Sequence, residues 1–397
     1  MPKFFKAHVP VIIVRTMSAI LDDLKEIASI DREGMCKIVE RFPEQCKEAI
    51  KIAEGLVLPR EVKIPGKTQI GYDKPANIIV AGMGGSAIGG NLLKDWLRNR
   101  LTVPIEVCRG YHLPAYAGEE TLVLAVSYSG NTEETLTAYL EAIDKGCMTI
   151  AVTSGGLLQE FSKKLGVPYV WLPSGYPPRS AIAYLFFPLV YSLEKLRLIQ
   201  VAEEVEETVA SVTELRDEVK LETPTSLNPS KKLAIGLKDS IPFICGFDLY
   251  ESVALRIKTQ LNENSKIPAK TESFPELNHN ETVGWTGSRD LTKNFSVVLI
   301  RDDWEEPVIR TRIDVTRSLV FDEGAKEVLE IRGRGRGRLA RMLSAMYIGD
   351  YASIYLAILN HIDPTPVTII DKLKNKLEEE VNKTSKLKKR FEKLRLS

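Results

Sequence analysis

Residues 122–126 form an apolar run that gives way at once to Ser127-Tyr128-Ser129-Gly130-Asn131-Thr132-Glu133-Glu134-Thr135 and then to an amphipathic segment. The order reads as strand, polar loop, helix. A second apolar run, 77–81, leads into Gly82-Met83-Gly84-Gly85-Ser86-Ala87-Ile88-Gly89-Gly90 and a helical pattern through Leu92, Leu93 and Trp96. The alternation continues, with strands expected at 105–109, 148–152 and 169–171 and helices opening at Ser86, Thr132 and Leu157. Such a succession predicts an α/β fold built on a doubly wound parallel sheet, with its ligand at the carboxyl ends of the strands.

Both loops fall at those ends. A helix N-terminus offers unpaired N–H groups and a positive dipole end, and the hydroxyls of Ser127, Ser129 and Thr132 can converge on one small volume there. Gly84 and Gly85, next to Ser86, let the backbone approach a ligand closely. Together these are the groups of a phosphate monoester site. Ser and Thr are also ordinary helix caps, so Thr132 with Thr135 would equally suit a plain helix start. The glycine loop taken alone fits a dinucleotide fingerprint through Gly82, Gly84 and Ala87, with Glu106 as the ribose-binding acid. The hydroxyl-rich loop favours a sugar phosphate, because a nicotinamide enzyme needs no such loop.

Composition bounds the rest. At 397 residues the chain is long enough for two cores, and 54 Lys+Arg against 53 Asp+Glu leave a net charge of +1. No global field recruits nucleic acid or an anionic membrane. Cys36, Cys46, Cys108, Cys147 and Cys245 lack metal-ligand spacing, and their odd number suits reduced, mostly buried thiols in a cytoplasm better than a disulfide framework. No segment reads as a membrane span. Met17 is an alternative start, since the helical pattern begins just after it; residues before it would be a start-site artefact or a disordered arm.

The expected organisation is a helical arm over 1–70, a first α/β domain over 71–222, a linker over 223–230, a second α/β domain over 231–368 and a Lys-rich helix over 369–397. In the second domain strands are expected at 241–246, 296–300 and 327–331, with helices at 251–261, 308–319, 341–348 and 353–360. Its first strand ends on Gly246-Phe247-Asp248, without serines, so it is expected to supply catalytic groups instead of a phosphate cradle. Two clusters stand out: Gln260-Leu261-Asn262-Glu263-Asn264-Ser265-Lys266 and Pro275-Glu276-Leu277-Asn278-His279-Asn280-Glu281.

The SYSGNTEET spelling resembles the phosphosugar loop of the sugar isomerase (SIS) domain family. With GMGGSAIGG, Pro178-Arg179-Ser180, LNENSK, ELNHNE, Gly349-Asp350-Tyr351 and Asp363-Pro364-Thr365-Pro366-Val367 followed by Lys372, the chain resembles the archaeal and bacterial bifunctional phosphoglucose/phosphomannose isomerases. The resemblance implies two SIS-type, flavodoxin-like domains. It also implies hexose 6-phosphate substrates, no cofactor or metal, and a homodimer in which His279 is donated across the interface. Glu263 then corresponds to the base that shuttles a proton between C1 and C2 through a cis-enediolate, with Glu276 as its rival. His279 corresponds to the residue that assists ring opening, and Lys372 to a lysine near the ring oxygen. Thr365 matches the small residue that leaves room for either C2 epimer, and Arg179 is placed to stabilise the enediolate oxygen. The alternatives are a sugar-phosphate sensor without turnover, a nicotinamide dehydrogenase and, more remotely, a hexosamine synthase. The run Arg332-Gly333-Arg334-Gly335-Arg336-Gly337-Arg338 stands outside the family pattern and is read as a solvated basic loop in preference to an RNA-binding tract.

Overall fold

The structure is a computed structural model that describes residues 11–64 and 69–396. Its strands are β1 (Glu61–Lys63), β2 (Gln69–Gly71), β3 (Asn77–Gly82), β4 (Ile105–Cys108), β5 (Thr121–Val126), β6 (Met148–Thr153), β7 (Tyr169–Trp171), β8 (Ile241–Phe247), β9 (Lys270–Phe274), β10 (Phe295–Arg301) and β11 (Glu327–Arg332). β1 and β2 make a small antiparallel pair. The other strands form two wholly parallel sheets, in the orders β4-β3-β5-β6-β7 and β11-β10-β8-β9.

Strands β5 and β6 are buried along their whole length, as expected of apolar runs covered by helices on both faces. Pairing of Ile78 with Leu122 and of Gly82 with Val126 brings the ends of β3 and β5 level. Because β3 has β4 on one side and β5 on the other, the winding reverses between β3 and β5. In open parallel sheets the ligand site lies at such a reversal, outside the carboxyl ends of the strands. The second sheet reverses in the same way between β8 and β10.

The chain divides into two compact units, and neither is continuous in sequence. One contains Phe42–Ala202 with the residues from Val367 onward; the other contains the described residues up to Arg41 with Glu203–Pro366. The arm expected over 1–70 is therefore shared out. Helix Phe42–Glu54 packs on helix Ile182–Lys195, where the Tyr184 hydroxyl donates to Glu48 at 2.5 Å. Helix Val11–Asp22 packs instead on helices Pro229–Leu237 and Arg338–Leu359. The helical run breaks just before Pro43: helix Met35–Glu40 ends at Arg41 and helix Phe42–Glu54 starts afresh, with Pro43 in its first turn, where no intrahelical N–H is needed. Helix Val11–Asp22 reaches back beyond Met17; the residues before Val11 lie outside the described ones.

Three further expectations differ from the structure. Helices expected at 341–348 and 353–360 are one helix, Arg338–Leu359, which is also long and apolar enough to cross a membrane by length and composition. Its apolar stretch is entirely buried inside the protein. The tail is two helices, Thr368–Val381 and Lys383–Leu396, parted at Asn382 in the left-handed region, φ +47°. Strand β9 was not expected at all: its sequence, Lys-Thr-Glu-Ser-Phe, becomes a strand by pairing with β8.

Candidate active site

In the unit of the five-stranded sheet, the loops after β3 and β5 are joined by a hydrogen bond from the Tyr128 N–H to Ser86 Oγ, 3.2 Å. Ser127, fully buried at the end of β5, donates through Oγ to Thr132 Oγ1 at 2.9 Å. Thr132 caps helix Glu133–Asp144 by position, yet its side chain makes no capping bond to that helix. This separates the loop from the plain cap considered above, since the hydroxyls are engaged with each other across the turn. Ser129 is exposed, and its Oγ accepts from the Asn131 N–H at 3.3 Å.

Two glycines are required by close approach. Gly130 has φ +69°, and a Cβ there would fall 1.8 Å from the Gly155 carbonyl oxygen. A Cβ on Gly85 would lie 3.2 Å from the backbone of Pro178 and Arg179. That second contact presses the helix start Gly84-Gly85-Ser86 against the short turn Pro178–Ser180 and so carries Arg179 to the loops. Arg179 is only 3 % exposed, so its guanidinium is held inside the protein. Tyr128 helps hold the same region. Burial pushes its hydroxyl up, so it stays protonated, donating to the Pro173 carbonyl at 2.7 Å and accepting from the Tyr176 N–H at 3.1 Å. Lys372 belongs to this unit and is exposed on helix Thr368–Val381.

In the other unit, helix Glu251–Gln260 widens into a π turn, Leu261–Ser265, that carries Glu263. Turns of this kind occur often at functional sites. Its shape is fixed from helix Arg338–Leu359. Asn264 Nδ2 donates to Ser353 Oγ at 2.9 Å and Ser265 Oγ to the Ser353 carbonyl at 2.5 Å. Below them, Arg256 grips Asp350 through Nε, 3.0 Å, and Nη2, 2.7 Å, both residues buried. Lys266 ends the turn at φ +58° and donates through Nζ to the carbonyls of Glu263 and of Pro364. Glu263 and Thr365 are thus brought into one neighbourhood, with Glu263 half-buried and Thr365 buried. His279 stands apart, exposed on a 3-10 turn after β9. Glu276, the rival base, is exposed and accepts from Asn280 Nδ2 at 2.8 Å.

The strand ends after β8 and β10 match those after β3 and β5 in topology but, among the described residues, hold no hydroxyl cradle. There the Glu305 carboxylate accepts from Arg301 Nε at 2.6 Å, Arg301 Nη2 at 2.8 Å and the Asp302 N–H at 3.1 Å. The Arg-Gly run lies next to this network and is paired: Arg332 with Asp303 and Glu330, Arg334 with Glu218, Arg338 with Asp248. Partners of this number suit a surface loop better than an RNA-binding arm.

Sequence reasoning missed the roles of Tyr128, Arg256 and Ser353 as supports. The only trace of the last two was the spacing of Asp350 and Ser353, one turn apart on a helix.

A hydroxyl-and-glycine cradle at the switch point of a parallel sheet, followed by a second sheet of like winding, defines a SIS-type α/β protein. A solved glucose-6-phosphate isomerase like protein from Thermus thermophilus shares the fold, with TM-score 0.57 and 18% identity over 87% of this chain and 97% of that one. The bacterial phospho-glucose isomerase C-terminal SIS domain model matches residues 226–377. The bifunctional phosphoglucose/phosphomannose isomerase of Caldicellulosiruptor bescii is 42% identical over 349 residues, 87% of this chain and 99% of that one. Its counterpart in Thermoplasma acidophilum is 36% identical over 76% of this chain and 90% of its own. The chain belongs to the bifunctional phosphoglucose/phosphomannose isomerase family.

Proposed function

We propose that this chain is an aldose–ketose isomerase that interconverts glucose 6-phosphate and mannose 6-phosphate with fructose 6-phosphate. The observation that carries the reading is the 42% identity to an isomerase of that name along nearly its whole length. The built cradle around Ser127 supports it, because a phosphate ester gives the converging hydroxyls and helix N-termini a common partner.

In this reading the phosphate is held by Gly84, Gly85, Ser86, Ser127, Ser129 and Thr132. The partner subunit's His279 in a homodimer assists ring opening, and its exposure here leaves it available to a second chain. Lys372 attends the ring oxygen. Glu263 takes the proton from C2 of the open aldose and returns it to C1, while Arg179 stabilises the negative oxygen of the enediolate between the two steps. No electron leaves the sugar, so the reaction needs no redox partner, and it is proposed to run without metal in the cytoplasm. Thr365 leaves the C2 hydroxyl free to take either configuration.

The test is turnover of both aldose phosphates in the presence of chelator, with Glu263→Gln beside the parent. The reading expects activity on both substrates and a collapse of kcat in the variant. A folded parent that binds hexose 6-phosphates and turns over neither would be a sensor instead.

A further inference from the structure

The match to the family's C-terminal domain ends at residue 377, yet the chain continues into a helix, Lys383–Leu396, that is firmly seated. Phe391 is buried and stacks on Phe161, with ring centroids 4.0 Å apart and planes inclined by 5°. The Lys164 ammonium lies 5.7 Å over the Phe391 ring. Arg390 donates to Asp144 at 3.0 Å, and Leu387 is buried as well.

Of the two helices that receive these groups, one opens at the phosphate cradle and the other is tied to the cradle's loop. Asp144 closes helix Glu133–Asp144, which opens just after Thr132. Phe161 lies on helix Gly156–Leu165, whose first turn is held by Asn131 Oδ1 accepting from the Leu157 N–H at 3.0 Å. Between this anchor and the rest of the chain runs helix Thr368–Val381, which carries Lys372. None of its residues is buried, and Ile369, Leu373 and Leu377 are 74%, 58% and 45% exposed. Only a left-handed residue, Asn382, separates it from the seated helix, and the Thr384 N–H meets the Glu378 carboxylate across the junction at 3.5 Å. A helix with so little burial of its own is set in place by what grips its ends.

We propose that helix Lys383–Leu396 is a clamp that positions Lys372 for catalysis, with Phe391 and Arg390 as its positioning residues. The proposal rests on the reading of this chain as an isomerase with Lys372 at the sugar. Displacing a catalytic group by about 1 Å can cost on the order of 100-fold in rate. Releasing the far end of the Lys372 helix is a direct way to cause such a displacement without touching the cradle.

The test compares the parent with Phe391→Ala, with Arg390→Ala and with a chain ended after Asn382, at a temperature where circular dichroism shows each folded. Glucose 6-phosphate turnover is followed, with inorganic phosphate as competitive inhibitor to report on the cradle. The clamp predicts that kcat falls about tenfold or more in Phe391→Ala, that KM and the phosphate inhibition constant stay within about twofold, and that Phe391→Tyr restores kcat. It predicts also that Phe391→Ala adds little to the loss already caused by Lys372→Arg. An unchanged kcat overturns the clamp. So does a loss that multiplies in full on the Lys372→Arg background, or a phosphate constant that rises in step with it. If Lys372→Ala itself keeps full activity while Glu263→Gln is dead, the role of Lys372 and the clamp fall together and the isomerase reading stands. Should the shortened chain fail to fold, the full-length variants decide.

Discussion

Lys266 donates a hydrogen bond to the carbonyl of Pro364, 3.0 Å away and 98 residues further along the chain. The same ammonium also donates to the Glu263 carbonyl, so one side chain fixes the turn of the proposed base against the segment that carries Thr365. Lys266→Met keeps the aliphatic stem and removes both bonds. The expected result is a fall in kcat of about 10- to 100-fold with KM changed far less, since the base is misplaced while the phosphate cradle is untouched. Steady-state kinetics on glucose 6-phosphate check it.

Gly130 gives the opposite signature. With φ +69° and the Gly155 oxygen where a Cβ would stand, Gly130→Ala must part the two loops. The loss of stability should be about 2–4 kcal/mol. KM should rise at least tenfold in whatever fraction stays folded, read by chemical denaturation and by inhibition with inorganic phosphate.

Burial pushes the Asp350 carboxyl up, even against the pull of the Arg256 guanidinium on which it lies. Asp350→Ala would leave that guanidinium buried without its carboxylate, at a cost of about 3–5 kcal/mol. Replacing both, as Arg256→Met with Asp350→Leu, should recover most of the stability. Activity should not recover, because the π turn above them loses its fixed base. A double-mutant cycle on urea midpoints and on kcat separates the two effects.

Asp22 sets an acid limit on stability. Burial alone would raise its carboxyl, but hydrogen bonds from the Thr225 hydroxyl and N–H, each 2.8 Å, and from Lys231 Nζ, 3.1 Å, outweigh this and hold it below the usual carboxylate range. The native state therefore binds fewer protons than the unfolded chain. The contribution is present in full above the ordinary carboxylate value and is lost as pH falls through the depressed one. Asp22→Asn should be less stable by about 1–3 kcal/mol at pH 7. Its melting temperature should also fall less steeply than the parent's as pH drops from 5 to 3, measured by calorimetry.

What could be read without the structure was local. The apolar runs of β3, β5 and β6 sit beside their polar loops in the sequence, so strand, cradle and helix declare themselves together. Arg179 could be named as a site residue, but its burial could not be read, because that depends on Gly85, a residue in a different loop. The π turn at Glu263 depends on Ser353 and Asp350, supplied by a distant helix. That helix read as two because Gly349-Asp350 interrupts an apolar pattern; Arg256 neutralises the interruption, and Gly349 lets Ile257 come close. Strand β9 carries too few apolar residues to announce itself, and only its neighbour β8 makes it a strand.

Glu305 has a wider consequence. By bringing a carboxylate of its own to Arg301 and the Asp302 N–H, the β8–β11 sheet meets its strand-end demand for negative charge from within. The chain repeats an architecture without repeating the hydroxyl-lined turn that follows β5. One winding thus supports two kinds of strand end, one lined by hydroxyls and one closed by its own ion pair.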